Sequence, residues 1–382
     1  MRGAIDADPV LRTRVDTMVG TEFSLRQQPL DALLLRYLVE PVILISRGYA
    51  LDQEVFDRHF ARLDAALRAD TVGFVEFIPL AGFTSHLAEL ALPGGLALRP
   101  MSDRQISQAI QFLAIPVEFG SGPTSVEVSR FHQWAVTREQ DYPVHSYKAG
   151  MPEHPRGPAF PSLEEPARGL VTALRIICGG STVATRPIYA PLDENAPPAI
   201  EGSAVRSAVG IADIDRPTLL ITEQADAVRE VYQALATTAT RQDRSLQVAL
   251  RRFVDSGSNK PTEDRLVDLV ICCEALFVKR RQISGPRKGA PIAEHAAHLL
   301  ADDPVLRVDH AAVHRFVTAA YKRRNAEVHG EPPEPLAVTL LDGSTTADLA
   351  RLVDDLALLV GRALHLTLNG PTARPAPPGQ GR

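Results

Sequence analysis

Along roughly the first 220 residues the apolar positions come in short runs and alternations; beyond that they recur at intervals of three and four. The first pattern predicts strands mixed with helices, and the second predicts helices packed on one another. Pro41 to Ile45 (PVILI) and Val72 to Leu80 (VGFVEFIPL) are predicted strands. Between them Val55, Phe56, Phe60, Leu63 and Leu67 take helical spacing, which predicts a helix over Leu51 to Asp70. Two alternating segments around Pro93, Gly94 and Gly95 predict a hairpin, and Ser102 is the expected N-cap of a helix ending at Leu113. Ser125 to Val136 is expected as a strand, and the proline-rich stretch from Asp141 to Pro166 as an extended surface loop.

The C-terminal part reads as helices. One covers Thr222 to Ala236, and another takes Ser245 as its N-cap with Leu246, Ala249, Leu250 and Phe253 on one face. Thr262, Glu263 and Asp264 open a central helix that is apolar on nearly every side from Leu266 to Val278, with Glu274 as its one interior exception. A shorter helix carries APIAEHAAHLL, and the next runs from Asp309 to His329 with Val313, Phe316, Val317, Ala320, Tyr321 and Val328 as its apolar stripe. Thr345 and Asp348 are expected to form a capping box for the last helix. The expected fold class is α+β. A mixed α/β domain of unknown role spans 1–220, an all-α helical bundle spans 221–370, and 371–382 is a disordered tail.

Composition narrows the function. The net charge of −5 does not draw nucleic acid to the molecule as a whole, so any RNA contact must come from a local basic patch. There is no apolar run long enough for a membrane span and no apolar segment near the N-terminus, so a cytoplasmic protein without membrane contact is expected. Cys178, Cys272 and Cys273 form neither a disulfide framework nor a zinc pattern and are expected in the core. His295, His298, His310 and His314 raise the question of a metal, since His310 and His314 share a helix face; with neither HExxH nor an acidic cluster beside them, no metal is expected. GPRKGAP lacks the ending of a phosphate loop, and no cofactor is expected.

The chemistry concentrates in YKRRNAEVHG, Tyr321 to Gly330. Arg324 falls on the apolar stripe, so a cation is directed toward the core as structural glue or as a phosphate binder. Positions five apart on a helix point about 140° from each other, so an ideal helix does not align Arg324 and His329, but the long reach of arginine and a helix end at His329 let the two converge. Gly330, Pro332 and Pro333 predict that the helix stops at His329, where its partial negative charge favours a protonated imidazole. Arg138/His145 and Arg307/His314 have comparable spacing but lack this context.

RLVDLVICCEALF, then a basic loop and a short helix ending in HLL, then AYKRRNAEVHG, closely resembles the Apea-like branch of the HEPN superfamily, over residues 245 to 368. In that branch a helix of the type LVDLVIALEALF precedes a segment of the type LYDLRSKIVHG. The resemblance implies a HEPN-like helical bundle that pairs as a homodimer, with Arg324, Asn325 and His329 matching the family's arginine, polar residue and histidine. It implies metal-independent endoribonuclease chemistry on an RNA partner, in a defence or stress effector. Arg324 would hold the phosphate and His329 would act as base or acid; Asn325 would orient either group, and Glu274 would fix Arg324 from behind. Lys279, Arg280, Arg281, Arg287 and Lys288, with Lys322 and Arg323, would form the basic patch. The alternatives are a noncatalytic RNA or nucleotide-binding module and a helical dimerisation scaffold. A symmetric cleft holding both His329 side chains favours cleavage, whereas Arg324 buried against Glu274 with a solitary exposed His329 favours the scaffold.

Overall fold

The computed structural model describes residues 7–9, 35–46, 52–68, 71–113, 133–143, 163–185, 187–192, 217–257, 260–278, 289–330 and 337–370. The architecture is α+β, with an antiparallel sheet in the N-terminal part and helices in the C-terminal part. Two compact units result: Met1–Pro79 with Ala91–Pro166 and Thr185–Val209, and Leu80–Leu90 with Ala167–Ala184 and Gly210–Arg382.

In the first unit, helices α1 (Glu40–Ser46) and α2 (Gln53–Arg68) precede strand β1 (Thr71–Ala81). The hairpin expected around Pro93 is present as β3 (Leu90–Leu92) and β4 (Leu96–Pro100), after the short β2 (Phe83–Ser85). Helix α3 (Asp103–Leu113) follows, then β5 (Trp134–Pro143). Ser102 caps α3 as predicted: its hydroxyl accepts the Gln105 N–H at 3.3 Å, and the Gln105 side chain accepts the Ser102 N–H at 2.9 Å. The sheet order is β3-β4-β5-β1, and β7 (Ile188–Pro191) also pairs with β1. Val75, Phe77, Met101, Ala109, Ala135 and Ile188 form its core, with Ile106 and Ile110 of α3 packed against it. Glu76 is buried, accepts the Leu163 N–H at 3.2 Å and pairs with Arg138, so that arginine is engaged in the sheet. His145 lies outside the described residues.

PVILI is not a strand. It lies in α1, directly after a π-helical turn over Leu35–Val39. A short β-branched run does not distinguish strand from helix, and Pro41, the second residue of α1, stands just after the π-helical turn. Leu38 and Val42, four apart, are buried while Leu44 and Ile45 are exposed. Of the strand expected over Ser125 to Val136, Trp134 to Val136 belong to β5, which continues to Pro143; Ser125 to His132 lie outside the described residues, as do most of the proline-rich loop and the tail.

The second unit begins with the end of β1, where Leu80 and Ala81 pair with β6 (Val183–Ala184), and with β2, which pairs in parallel with β8 (Thr218–Leu220). Most of helix α4 (Glu164–Cys178) also belongs to it. Then come α5 (Ala225–Ala236), α6 (Thr238–Gln242), α7 (Arg244–Ser256), α8 (Thr262–Phe277), α9 (Gly289–Leu300), α10 (His310–His329), the two-stranded β9 (Val338–Thr339) and β10 (Thr345–Thr346), and α11 (Leu349–Asn369). Burial pushes the Arg175 guanidinium of α4 down to about 10, and it donates to the carbonyls of Thr182 and Val254.

Three sequence expectations change here. The cap of α7 is Asp243, two residues before the expected Ser245, and its carboxylate accepts from the Ser245 and Leu246 amides. Asp348 caps α11 alone, while Thr345 is taken into the β9–β10 pair. In α8, Glu274 is not the one interior acid: Asp268 is 4% exposed, held by Arg252 at 2.8 Å and Lys260 at 2.7 Å. Cys272 and Cys273 are buried as expected, and Cys178 is partly so. Among the described residues, no helix is long and apolar enough to cross a membrane.

Candidate functional site

α10 carries the site. Asp309 caps its start by accepting the Ala312 N–H at 2.6 Å, and its end is closed by Gly330 at φ 64°, whose N–H turns back to the carbonyls of Ala326 and Glu327. A left-handed residue suits glycine there, so the helix stops where the sequence predicts. Val313, Phe316, Val317 and Ala320 are buried. Arg324 is the next position of that stripe, and its side chain is only 21% exposed. Val328 departs from the expectation, being 53% exposed in the last turn, where the helix has run past the elements that cover its stripe.

Around the guanidinium the contacts are directional but loose. Arg324 Nη1 donates to Asn325 Oδ1 at 3.1 Å, and Nη2 stands 3.9 Å from Glu274 Oε1 of α8, at the outer edge of an ion pair. Its centre lies 5.9 Å from the ring centroid of Tyr321, within reach of a cation–π contact. Arg324 Nε is buried and has no hydrogen-bond partner among the described residues. The Tyr321 hydroxyl is pushed above its ordinary range by burial and by the negative charge of the Glu274 carboxylate. Glu274 therefore stands near a phenol and a guanidinium together.

Tyr321 is the residue the sequence reading left in the core. The signal for it was its place one turn before Arg324, since side chains three apart on a helix meet. Its ring is set by Gly289 at the start of α9, where a Cβ would come within 2.9 Å of Tyr321 Cδ1.

His329 is exposed in the last turn, and no hydrogen bond or ion pair engages it among the described residues. Both it and Arg324 lie in regular helix, so the divergence of about 140° applies to them. One chain thus brings together Arg324, Asn325, Tyr321 and Glu274 and leaves His329 apart. Lys322 is exposed, whereas Arg323 is 15% exposed and bonded to Glu327 at 2.8 Å, which cancels much of its charge. Lys279, Arg280, Arg281, Arg287 and Lys288 lie outside the described residues. Arg307, of the third arginine–histidine pair, donates to the Pro304 carbonyl at 3.4 Å in the connection before α10. Compared with known proteins, the chain matches no family model, no curated protein and no solved structure.

Proposed function

We propose that the C-terminal helical unit is a metal-independent endoribonuclease of the HEPN type, with a site completed by a second copy of the chain. The observation that carries this reading is the state of Arg324: a permanently charged guanidinium, positioned by Asn325 and Tyr321 but only loosely countered by Glu274, with a buried Nε that has no hydrogen-bond partner among the described residues. Such a group is poised to take a phosphate through two parallel hydrogen bonds. RNA supplies its own nucleophile. A base removes the proton of the 2'-hydroxyl, the oxygen attacks the adjacent phosphorus, and an acid protonates the departing 5'-oxygen. The products are a 2',3'-cyclic phosphate and a 5'-hydroxyl, and the arginine offsets charge that builds on the phosphate oxygens.

One imidazole is not base and acid in the same step. Two copies of α10 supply two copies of His329, each exposed at a helix end. The pairing also answers the divergence along α10, since the arginine of one copy can face the histidine of the other. Arg324→Lys keeps the charge and loses the planar fork, and should slow cleavage of cellular RNA in excess EDTA about 100-fold with the cyclic phosphate ends retained. An unchanged rate would sink the reading.

A helical dimerisation scaffold is favoured by one observation: Arg324 stands against Glu274 while His329 of the same chain is exposed and unengaged. On that reading Arg324→Lys alters dimerisation or melting temperature, and the wild type cleaves nothing.

A further inference from the structure

At the other end of α10, about 28 Å from His329 along the helix axis, lies a cluster that RNA cleavage does not use. It is built from two pairs of residues four apart on packed helices: Glu294 and His298 on α9, and His310 and His314 on α10. His298 Nε2 lies 3.0 Å and His310 Nε2 3.5 Å from Glu294 Oε1, and His314 Nε2 lies 3.9 Å from the other carboxylate oxygen. The rings of His298 and His310 meet edge to face with centroids 4.9 Å apart. All three imidazoles point the same nitrogen at one carboxylate. His295, on the same helix, is not a member, because its Nδ1 is 2.8 Å from the Pro291 carbonyl.

We propose that Glu294, His298, His310 and His314 bind one late first-row divalent cation, zinc in the cell, which clips α9 to α10. Four donors held ~2.0–2.1 Å from a tetrahedral ion lie ~3.3 Å from one another; the 3.0 and 3.5 Å from Glu294 Oε1 to His298 and His310 bracket that value, and His314, 3.9 Å from the other oxygen, closes in to complete the set. The donor atoms of Glu294, His298 and His310 already lie within 4.8 Å of each other. Among the described residues His310 Nε2 is buried and makes no hydrogen bond, with the Glu294 oxygen 3.5 Å away as its one ionic neighbour. Three imidazoles and one carboxylate select zinc, nickel or cobalt over magnesium or calcium, which want oxygen.

The backbone prepares the site. Residues 301–309 join the two helices through Asp302 at φ 61° and Arg307 at φ 53°, left-handed conformations that side chains rarely take. Asp303 holds the turn: one carboxylate oxygen accepts from Val305 and Leu306 at 3.0 Å, and the other accepts from Arg362 of α11 at 2.8 Å. This fixes the end of α9 against the start of α10 before any ion arrives. The missing acid that argued against a metal is Glu294, one turn before His298 and adjacent to His295, so that it reads in sequence as one solvent-facing glutamate. The side chains are between 37% and 49% exposed, which leaves the ion a direct path in.

The test uses the untagged full chain, stripped with chelator and titrated with Zn²⁺ against a chromophoric competitor. Wild type should bind one equivalent, and the double variant His298→Ala/His310→Ala should bind about 100-fold more weakly or worse. Absence of stoichiometric binding by wild type, or equal affinity in the variant, overturns the proposal and leaves a hydrogen-bonded Glu–His cluster. A second measurement needs no variant: Zn²⁺ should protect His298, His310 and His314 from diethylpyrocarbonate, mapped by mass spectrometry, while His329 labels as before. Equal labelling with and without Zn²⁺ overturns it equally. Both readouts follow bound metal and not cleavage, so the nuclease reading stands or falls separately.

Discussion

Arg324 shows what a single position discloses. Its place on the stripe of Val313, Phe316, Val317 and Ala320 was readable by counting, and the structure sets it there, 21% exposed. Its surroundings were not readable, because Tyr321 and Glu274 meet it through side-chain directions that spacing does not encode. His365 is a second case. Its Nδ1 lies 2.6 Å from Arg362 Nη1, and burial together with that guanidinium lowers its pKa below the ordinary 6.5. A base depressed on folding leaves the unfolded chain to take up the proton first, so its contribution is intact above the unfolded pKa and is lost as pH falls through the folded one. Denaturant midpoints should therefore drop between about pH 7.5 and 5.5, and drop less in His365→Gln. His59, lowered by burial and by Arg62 and Arg58, acts in the same direction, so the variant removes only part of the effect. Equal drops in the two proteins would contradict this account of His365.

Elements with long periods came through, as did the hairpin marked by Pro93, Gly94 and Gly95, whereas a short apolar run without such a turn did not. α8, α10 and α11 are where the spacing of three and four puts them, because a stripe of several turns has one way to be buried. PVILI failed for want of length, and the cap of α7 moved two residues because the Asp243 carboxylate takes the Ser245 and Leu246 amides, which draws Ser245 itself into the first turn. The end of α10 is the element the site depends on, since Gly330 both stops the helix and sets where His329 stands. Gly330→Ala places a Cβ in a left-handed residue with nothing within 4 Å of it, so the cost is conformational alone. Urea denaturation should show a loss of about 1 kcal/mol, with cleavage falling further than stability does because the last turn is no longer fixed. A variant as stable and as active as wild type would show that the terminus does not position the histidine.

At the scale of the whole molecule, the two units draw on segments from both halves of the chain: Leu80–Leu90 and Ala167–Ala184 join the C-terminal helices. Hydrophobic pattern says which face of a strand is buried but not which neighbour buries it, so this exchange is invisible in sequence. What a second copy contributes is equally invisible, and the nuclease reading requires one. Sedimentation of the full chain should give a dimer at the concentrations where RNA is cleaved, and a strictly monomeric active enzyme would remove the explanation for how Arg324 and His329 meet. The most direct measurement compares wild type with His329→Ala on cellular RNA in excess EDTA. Among the described residues the exposed imidazole has no partner to lose, so the variant should fold as wild type does and cleave at least about 100-fold more slowly, with cyclic phosphate ends from the wild type. Equal cleavage by both proteins, or none by either in the dimeric state, would contradict the proposed site.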